Sequence, residues 1–322
     1  MPIGTSNYPN GFLNGVTIRG VPILQTNPGR VFWVSNNTTG LLPGQRGGSN
    51  GNKGDFNSPL ATLAAAAALC VANRGDIIVV KPGHAETVAS ATALALSIAG
   101  VAIIGLGVGS QRPKFTLNTA NTATIAVSAD NISIQNCQFF GNFLSIAACF
   151  TLTTAKWFTL QNNYFSDTSG VLNFLNIVKS TGAANTVDGL TLVGNVWKGL
   201  GTTSVNSFAL VADAIDQATL RDNRILLTHA NDTSNLLKMT TGAATNLEVG
   251  DNVIVSKQTA NTAGTLLDVG ASSTGFVYRN FAGTLVTAGD KLFTTTVGIY
   301  PFENRVSGVV GATGFVIPAV DS

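Results

Sequence analysis

Four short stretches decide the fold: FTLQNN at residues 158–163, LTLVGN at 190–195, ATLRDN at 218–223 and LEVGDN at 247–252. Each sets two apolar residues one position apart and an Asn three positions after the second. Working outward from them, the apolar pairs are Ile132/Ile134, Phe158/Leu160, Leu190/Leu192, Ala218/Leu220, Leu247/Val249 and Phe276/Tyr278, with second members spaced 26, 32, 28, 29 and 29 residues apart. Three positions past these anchors stand Cys137, Asn163, Asn195, Asn223, Asn252 and Phe281; five past them stand Phe139, Phe165, Trp197, Ile225, Ile254 and Gly283. Upstream strand-like segments include Ile125/Val127, Phe150/Leu152, Phe208/Leu210, Leu237/Met239 and Leu267/Val269. A unit of this length, with two or three short strands and no helix, cannot bury its apolar face alone, but stacked units form a continuous core. The repeat therefore predicts an all-β chain wound as a parallel β-solenoid. Asn163, Asn195, Asn223 and Asn252 fall in register as a structural amide ladder. At a rise of roughly 4.8 Å per coil, the repeat makes a rod on the order of 30–35 Å long.

Composition agrees with this reading. Only 11% of the 322 residues are charged, 18 basic and 16 acidic, while 45% are apolar and 35 are Gly. Such a chain is neither helical nor disordered, and its polar surface must be built from hydroxyls and amides. No run of Lys or Arg could neutralise a row of phosphates, so nucleic acid is not an expected partner. The longest apolar run, Leu60 to Ala72, is too short to span a bilayer, and the amino terminus has no signal-peptide pattern, so no membrane is expected. Cys70, Cys137 and Cys149 read as buried thiols in a reducing cytosol.

The remaining segments frame the repeat. Residues 1–57 read as an extended arm and Gly-rich loop: 1–30 carry Pro2, Pro9, Pro22 and Pro28, a short strand-like run follows at Val31–Val34, and Gly44–Gly54 is Gly-rich. Residues 58–73 read as a capping helix with Ser58 as N-cap, Pro59 in the first turn, and Leu60, Leu63, Ala67 and Cys70 as its buried stripe. The β-helix occupies 74–283, and 284–322 departs from the repeat as an apolar cap or interaction segment.

Candidate chemistry is sparse. Asp222 and Asp251 sit two positions past their anchors on adjacent coils, a stacking that resembles a retaining pair of carboxylates. Turn-forming Asx side chains in that register, Asn136, Asn162 and Asn280, explain both more simply. Asp130, Asp188 and Asp216 share another turn register, and Asp188, Asp213 and Asp216 are the one cluster that could approach a cation, though no metal is expected. His84, between Lys81 and Glu86, reads as a solvated loop residue, and His229 is too distant to pair with it. Gly47–Gly51 matches a nucleophile elbow in letters but lacks the flanking strand and helix. Trp157, Tyr164 and Tyr278 are the candidate surface rings; at unrelated registers they make no platform. These readings predict no cofactor and a chain that is not an enzyme.

The segment SPLATLAAAAA at 58–68 followed by RGDIIVVKPGHAETV at 74–88 resembles the start of right-handed parallel β-helix proteins of the pectate-lyase-like superfamily. MPIGTSNYPNGF at 1–12 and GVPILQTNPGRVFWV at 20–34 look similar to tailed-bacteriophage head decoration, or cement, proteins. That resemblance implies a homotrimer seated on the outer surface of the major capsid protein shell, stabilising the head. The residues expected to make the shell or trimer contacts are Tyr8, Phe12, Ile18 and Phe32 at one end, and Phe293, Tyr300 and Phe302 at the other. The competing expectation is a tailspike-like receptor-binding protein or polysaccharide depolymerase using Asp222 and Asp251.

Overall fold

The computed structural model describes residues 17–18, 21–22, 29–41, 43–201, 207–227, 235–256, 265–283, 291–293 and 298–307. Among these, three parallel sheets of ten, nine and eight strands wrap one core, and the chain passes from first to second to third sheet in each coil. The connections take the right-handed sense of parallel crossovers. The protein is a right-handed parallel β-helix.

Register within the sheets follows the sequence repeat closely. In the first sheet Ile134 pairs with Leu160, Leu160 with Leu192, Leu192 with Leu220 and Leu220 with Val249. All five side chains point inward and are buried. The next partner of Val249 is Val277, and Tyr278 pairs with Gly250. The anchor assigned to Tyr278 thus slips by one residue, and since side chains alternate between faces, Phe276 and Tyr278 turn outward. The same correction moves the second-sheet core position from Gly283 to Ala282, in line behind Phe139, Phe165, Trp197, Ile225 and Ile254. In the third sheet Ala209, rather than Phe208 or Leu210, is the partner of both Val178 and Leu237.

The ladder of amides runs further than the repeat suggested. Oδ1 of Asn163 accepts the Cys137 N–H at 2.9 Å, and each following Asn receives the backbone N–H of the one before it: Asn163 to Asn195, Asn195 to Asn223, Asn223 to Asn252, Asn252 to Asn280, and Asn280 to Asn304, all at 3.0 Å. The Nδ2 group of each donates back to a strand carbonyl, as Asn223 does to Leu192 at 2.8 Å. Buried turn amides are thereby satisfied without water. Parallel pairing likewise continues past Gly283, through Ile299–Phe302 and Arg305–Ser307.

The amino-terminal end also differs from the expected division. The strand-like run at Val31–Val34 is a strand, but it belongs to the β-helix rather than to the segment before it, pairing in parallel with Ile77–Val80 as the first rung. The helix covers Leu63–Leu69 with Thr62 as N-cap, its hydroxyl accepting the Ala65 N–H at 3.2 Å. Ser58 does not cap it; its N–H and hydroxyl donate to Asp55. The reason is tertiary: Leu60 is drawn alongside the first rung, donating its N–H to Trp33 and accepting that of Ser35, so residues 58–61 stay extended. The expected stripe of Leu60, Leu63, Ala67 and Cys70 is nonetheless buried.

Candidate functional site

His84 is the first departure from the expected surface chemistry, since it is buried rather than solvated. Its Nδ1 accepts the Asn36 N–H at 3.1 Å, which leaves the proton on Nε2, 3.1 Å from Glu86 Oε2. The same Glu86 oxygen accepts the Leu63 N–H at the start of the helix. The triad ties the first rung, the cap helix and the second sheet together. Asp76 plays a similar part: burial opposes its ionisation, but the Arg74 guanidinium and the N–H groups of Arg30 and Val71 outweigh this and hold its carboxyl below the ordinary value.

The carboxylate pair of the competing expectation occupies turns. Asp222 and Asp251 both have φ of 57°, in a left-handed register shared by Asn136, Asn162 and Arg279. Arg279 grips Asp251 through two bonds of 2.7 Å and holds its carboxyl below the usual range. Asp188, Asp213 and Asp216 are engaged separately. Asp188 pairs with Lys156 and accepts the Asp216 N–H, Asp213 accepts the Ala214 N–H, and Asp216 accepts from Thr245 and Asn246. Among the described residues no three His, Cys, Asp or Glu side chains stand together as metal ligands, and no helix is long and apolar enough to cross a membrane. Burial pushes the Cys70 and Cys137 thiols up to about 12, and all three cysteines are free.

Of the expected contact residues, Phe32 is 1% exposed and faces the core, because the pleat of the first rung turns it inward above Ile78. Tyr8 and Phe12 lie outside the described residues, His229 does too, and the side chains of Ile18 and Phe293 are not among those described. Tyr300 and Phe302 are exposed at 64% and 41%. They do not stand alone. Phe276 lies 5.8 Å from Tyr300, and Tyr278 stacks on Phe302 at 5.2 Å and 13°, so four outward rings form two columns on neighbouring strands. This is the platform that the reading of Trp157, Tyr164 and Tyr278 as unrelated rings missed. The cause is the one-residue slip at Tyr278 and the reading of residues beyond 283 as non-repeat. A groove of about 560 Å³ opens between these rings, Asn246 and Glu248. The Tyr278 hydroxyl donates to Glu248 Oε1 at 2.7 Å, and Arg221 stands 3.4 Å from the same oxygen.

A second surface covers the outward face of the second sheet. One column reads Lys114, Gln138, Tyr164, Val196, Arg224, Val253, Phe281 and Arg305, the other Thr116, Phe140, Ser166, Lys198, Leu226 and Val255. Leu226, Val255 and Phe281 are 42%, 36% and 39% exposed, and the charged residues in both columns are all basic. Lys114 lies over the Phe140 ring at 4.5 Å. Toward the carboxy-terminal end of this strip Leu226, Val253, Val255 and Phe281 form an apolar patch flanked by Lys198, Arg224 and Arg305.

No family model and no curated protein matches the chain. Two solved structures are similar to it. A rhamnogalacturonan lyase shares 14% identity over 84% of this chain and 72% of its own, with a TM-score of 0.41. A GH136 lacto-N-biosidase from Eubacterium ramulus shares 9% identity over 87% of this chain and 68% of its own, with a TM-score of 0.26. Both bear the names of enzymes, and the expectation that this chain is not an enzyme is corrected accordingly and goes no further. Likenesses this distant assign it no activity.

Proposed function

We propose that the chain is a bacteriophage virion protein that attaches, as a homotrimer, to the outer surface of the major capsid protein shell and stabilises the head. The observation that carries this reading is the strip on the second sheet, where Leu226, Val255 and Phe281 are exposed beside Lys198, Arg224 and Arg305. Isolated exposed apolar side chains are ordinary, but a contiguous apolar patch spanning two columns, flanked by charged residues, marks a protein-binding face. A stiff rod with this strip along one side suits a role in bracing a lattice. The likeness of residues 1–12 and 20–34 to head decoration proteins supports the same reading. Three linked copies would raise the effective concentration of the second and third contacts once the first is made.

The test is cosedimentation of the purified chain with undecorated heads, with mass photometry of the free protein. Trimers, saturable binding at a copy number comparable to the shell's own subunits, and loss of binding in Leu226→Glu and Val255→Glu are expected. A monomer that fails to sediment with heads, or one found only at tail stoichiometry, refutes the proposal.

A further inference from the structure

We infer that the aromatic groove at the carboxy-terminal end of the first sheet is a binding site for a neutral oligosaccharide, a function separate from attachment to a shell. The outward face of this sheet changes character along the rod. Ser133, Gln135, Thr159, Gln161, Thr191 and Thr219 give it a hydroxyl and amide surface, interrupted by Val193 and Arg221, and then within three coils it becomes ring-lined. Phe276 and Tyr300 are more than half exposed at 56% and 64%. A single exposed ring is ordinary, but contiguous exposed rings mark an interaction surface or a ligand groove.

The composition of the groove selects the occupant. Its volume of about 560 Å³ lies in the range of small-molecule sites, which combine apolar walls with a few placed polar groups. The walls are the rings. The polar groups are Glu248, fixed through Oε1 by Tyr278 and Arg221 with Oε2 left to accept, and Asn246, fixed through its Nδ2 donation to Asp216 at 2.8 Å with its carbonyl oxygen left to accept. A wholly apolar ligand would desolvate the Glu248 carboxylate without compensation. A pyranose has the matching division, with C–H faces for the rings and hydroxyl donors around its rim for the carboxylate and amide.

Charge narrows the class further. Arg221 is already paired with Glu248, and Arg279 with Asp251, so each cation beside the groove is neutralised by a neighbour. The one ionised side chain lining the groove is the carboxylate of Glu248. A uronate or sulfated sugar would find no unpaired cation there, because Arg221 and Glu248 already satisfy one another, whereas a neutral hexose chain needs none. Gly250 supports the arrangement, because a Cβ there would stand 2.3 Å from the Tyr278 ring; only glycine lets that ring lie down and present its hydroxyl to Glu248.

The experiment is affinity electrophoresis of the full chain through gels containing dextran, galactomannan, mixed-linkage β-glucan or polygalacturonate, followed by a neutral-glycan array. Retardation in at least one neutral polymer and none in polygalacturonate is expected. Phe276→Ala and Tyr300→Ala should weaken retention at least tenfold and Glu248→Gln several-fold, all with unchanged circular dichroism, while Trp157→Ala, at a distant exposed ring, should leave it intact. The inference is overturned by no retention on any neutral polymer or array glycan, by retention that survives both ring substitutions, or by preference for polygalacturonate. It is also overturned if the ring substitutions abolish sedimentation with heads while no glycan is retained, because the groove is then a protein contact. Loss of head binding in Leu226→Glu alone leaves the glycan assay unaffected, so the two proposals fail independently.

Discussion

Replacing Asn223 by Ala removes one link from the middle of the buried ladder, and the cost can be worked from its bonds. Oδ1 of Asn223 receives the backbone N–H of Asn195 at 3.0 Å and its Nδ2 at 3.1 Å; Nδ2 of Asn223 donates to Leu192 O at 2.8 Å and to Asn252 Oδ1 at 2.9 Å. The substitution leaves two donors of Asn195 facing a protein interior that no water reaches, and takes one donor away from the Leu192 carbonyl. At about 1–3 kcal/mol for each buried group left unsatisfied, the two donors alone cost about 2–6 kcal/mol. In a solenoid the loss concentrates at the interface between the coils that carry Asn195 and Asn223, since each coil is held by its neighbours. Urea unfolding followed by circular dichroism should show a destabilisation of about 4 kcal/mol, and amide exchange at Asn195 should accelerate ahead of global unfolding. The comparator is Thr219→Ala, on the outward face of the same coil, where an effect within about 0.5 kcal/mol is expected. If Asn223→Ala costs less than about 1 kcal/mol and Asn195 exchange is unchanged, the ladder is not what satisfies these turns, and the reasoning from register to stability fails.

Three further outcomes follow from individual residues. Burial pushes the Asp167 carboxyl up to about 7, against the Phe174 and Leu200 N–H groups that it accepts. The folded state therefore holds a proton that the unfolded chain releases near its ordinary value, so stability should fall as pH rises from about 4 through 7, and Asp167→Asn should flatten urea midpoints compared at pH 5 and pH 8. His84→Leu orphans the Asn36 N–H and frees Glu86, which should cost about 1–3 kcal/mol and expose the loop after Val34 to protease, measured by limited proteolysis at constant pH. Gly250→Ala should drive the Tyr278 ring off Glu248; loss of the Tyr278 ring-current shifts by NMR, with a lower melting temperature, is the expected result, and an unmoved ring refutes the packing argument.

The core columns were legible because burial forces periodicity: Ile134, Leu160, Leu192, Leu220 and Val249 had to recur where the coil returns, and the ladder Asn residues had to follow at constant offset. The slip at Tyr278 shows the limit of that reading. Phe276 and Tyr278 are as apolar as any core pair, and only the pairing of Val249 with Val277 shows that they face outward. The same displaced anchor put Asn280 in the turn register of Asp222 and Asp251, where Arg279 stands instead, and hid Asn280 and Asn304 as members of the ladder. The candidate site was legible only in fragments: Tyr300 and Phe302 stood out as apolar residues near the end of the chain, without any sign that Phe276 and Tyr278 lie beside them.

What the linear chain determined by itself is the repeat, and with it the all-β solenoid, its axis and most of its interior, because contacts between coils follow from spacing alone. Tertiary structure decided the rest. It drew Leu60 into an extended edge instead of a helix, buried His84 against Asn36 and Glu86, and assembled four rings and a carboxylate into one groove. The physical reason is that burial repeats with the coil and can be read from period, whereas the direction of a single side chain depends on a one-residue choice of pleat that only hydrogen-bonded neighbours can make.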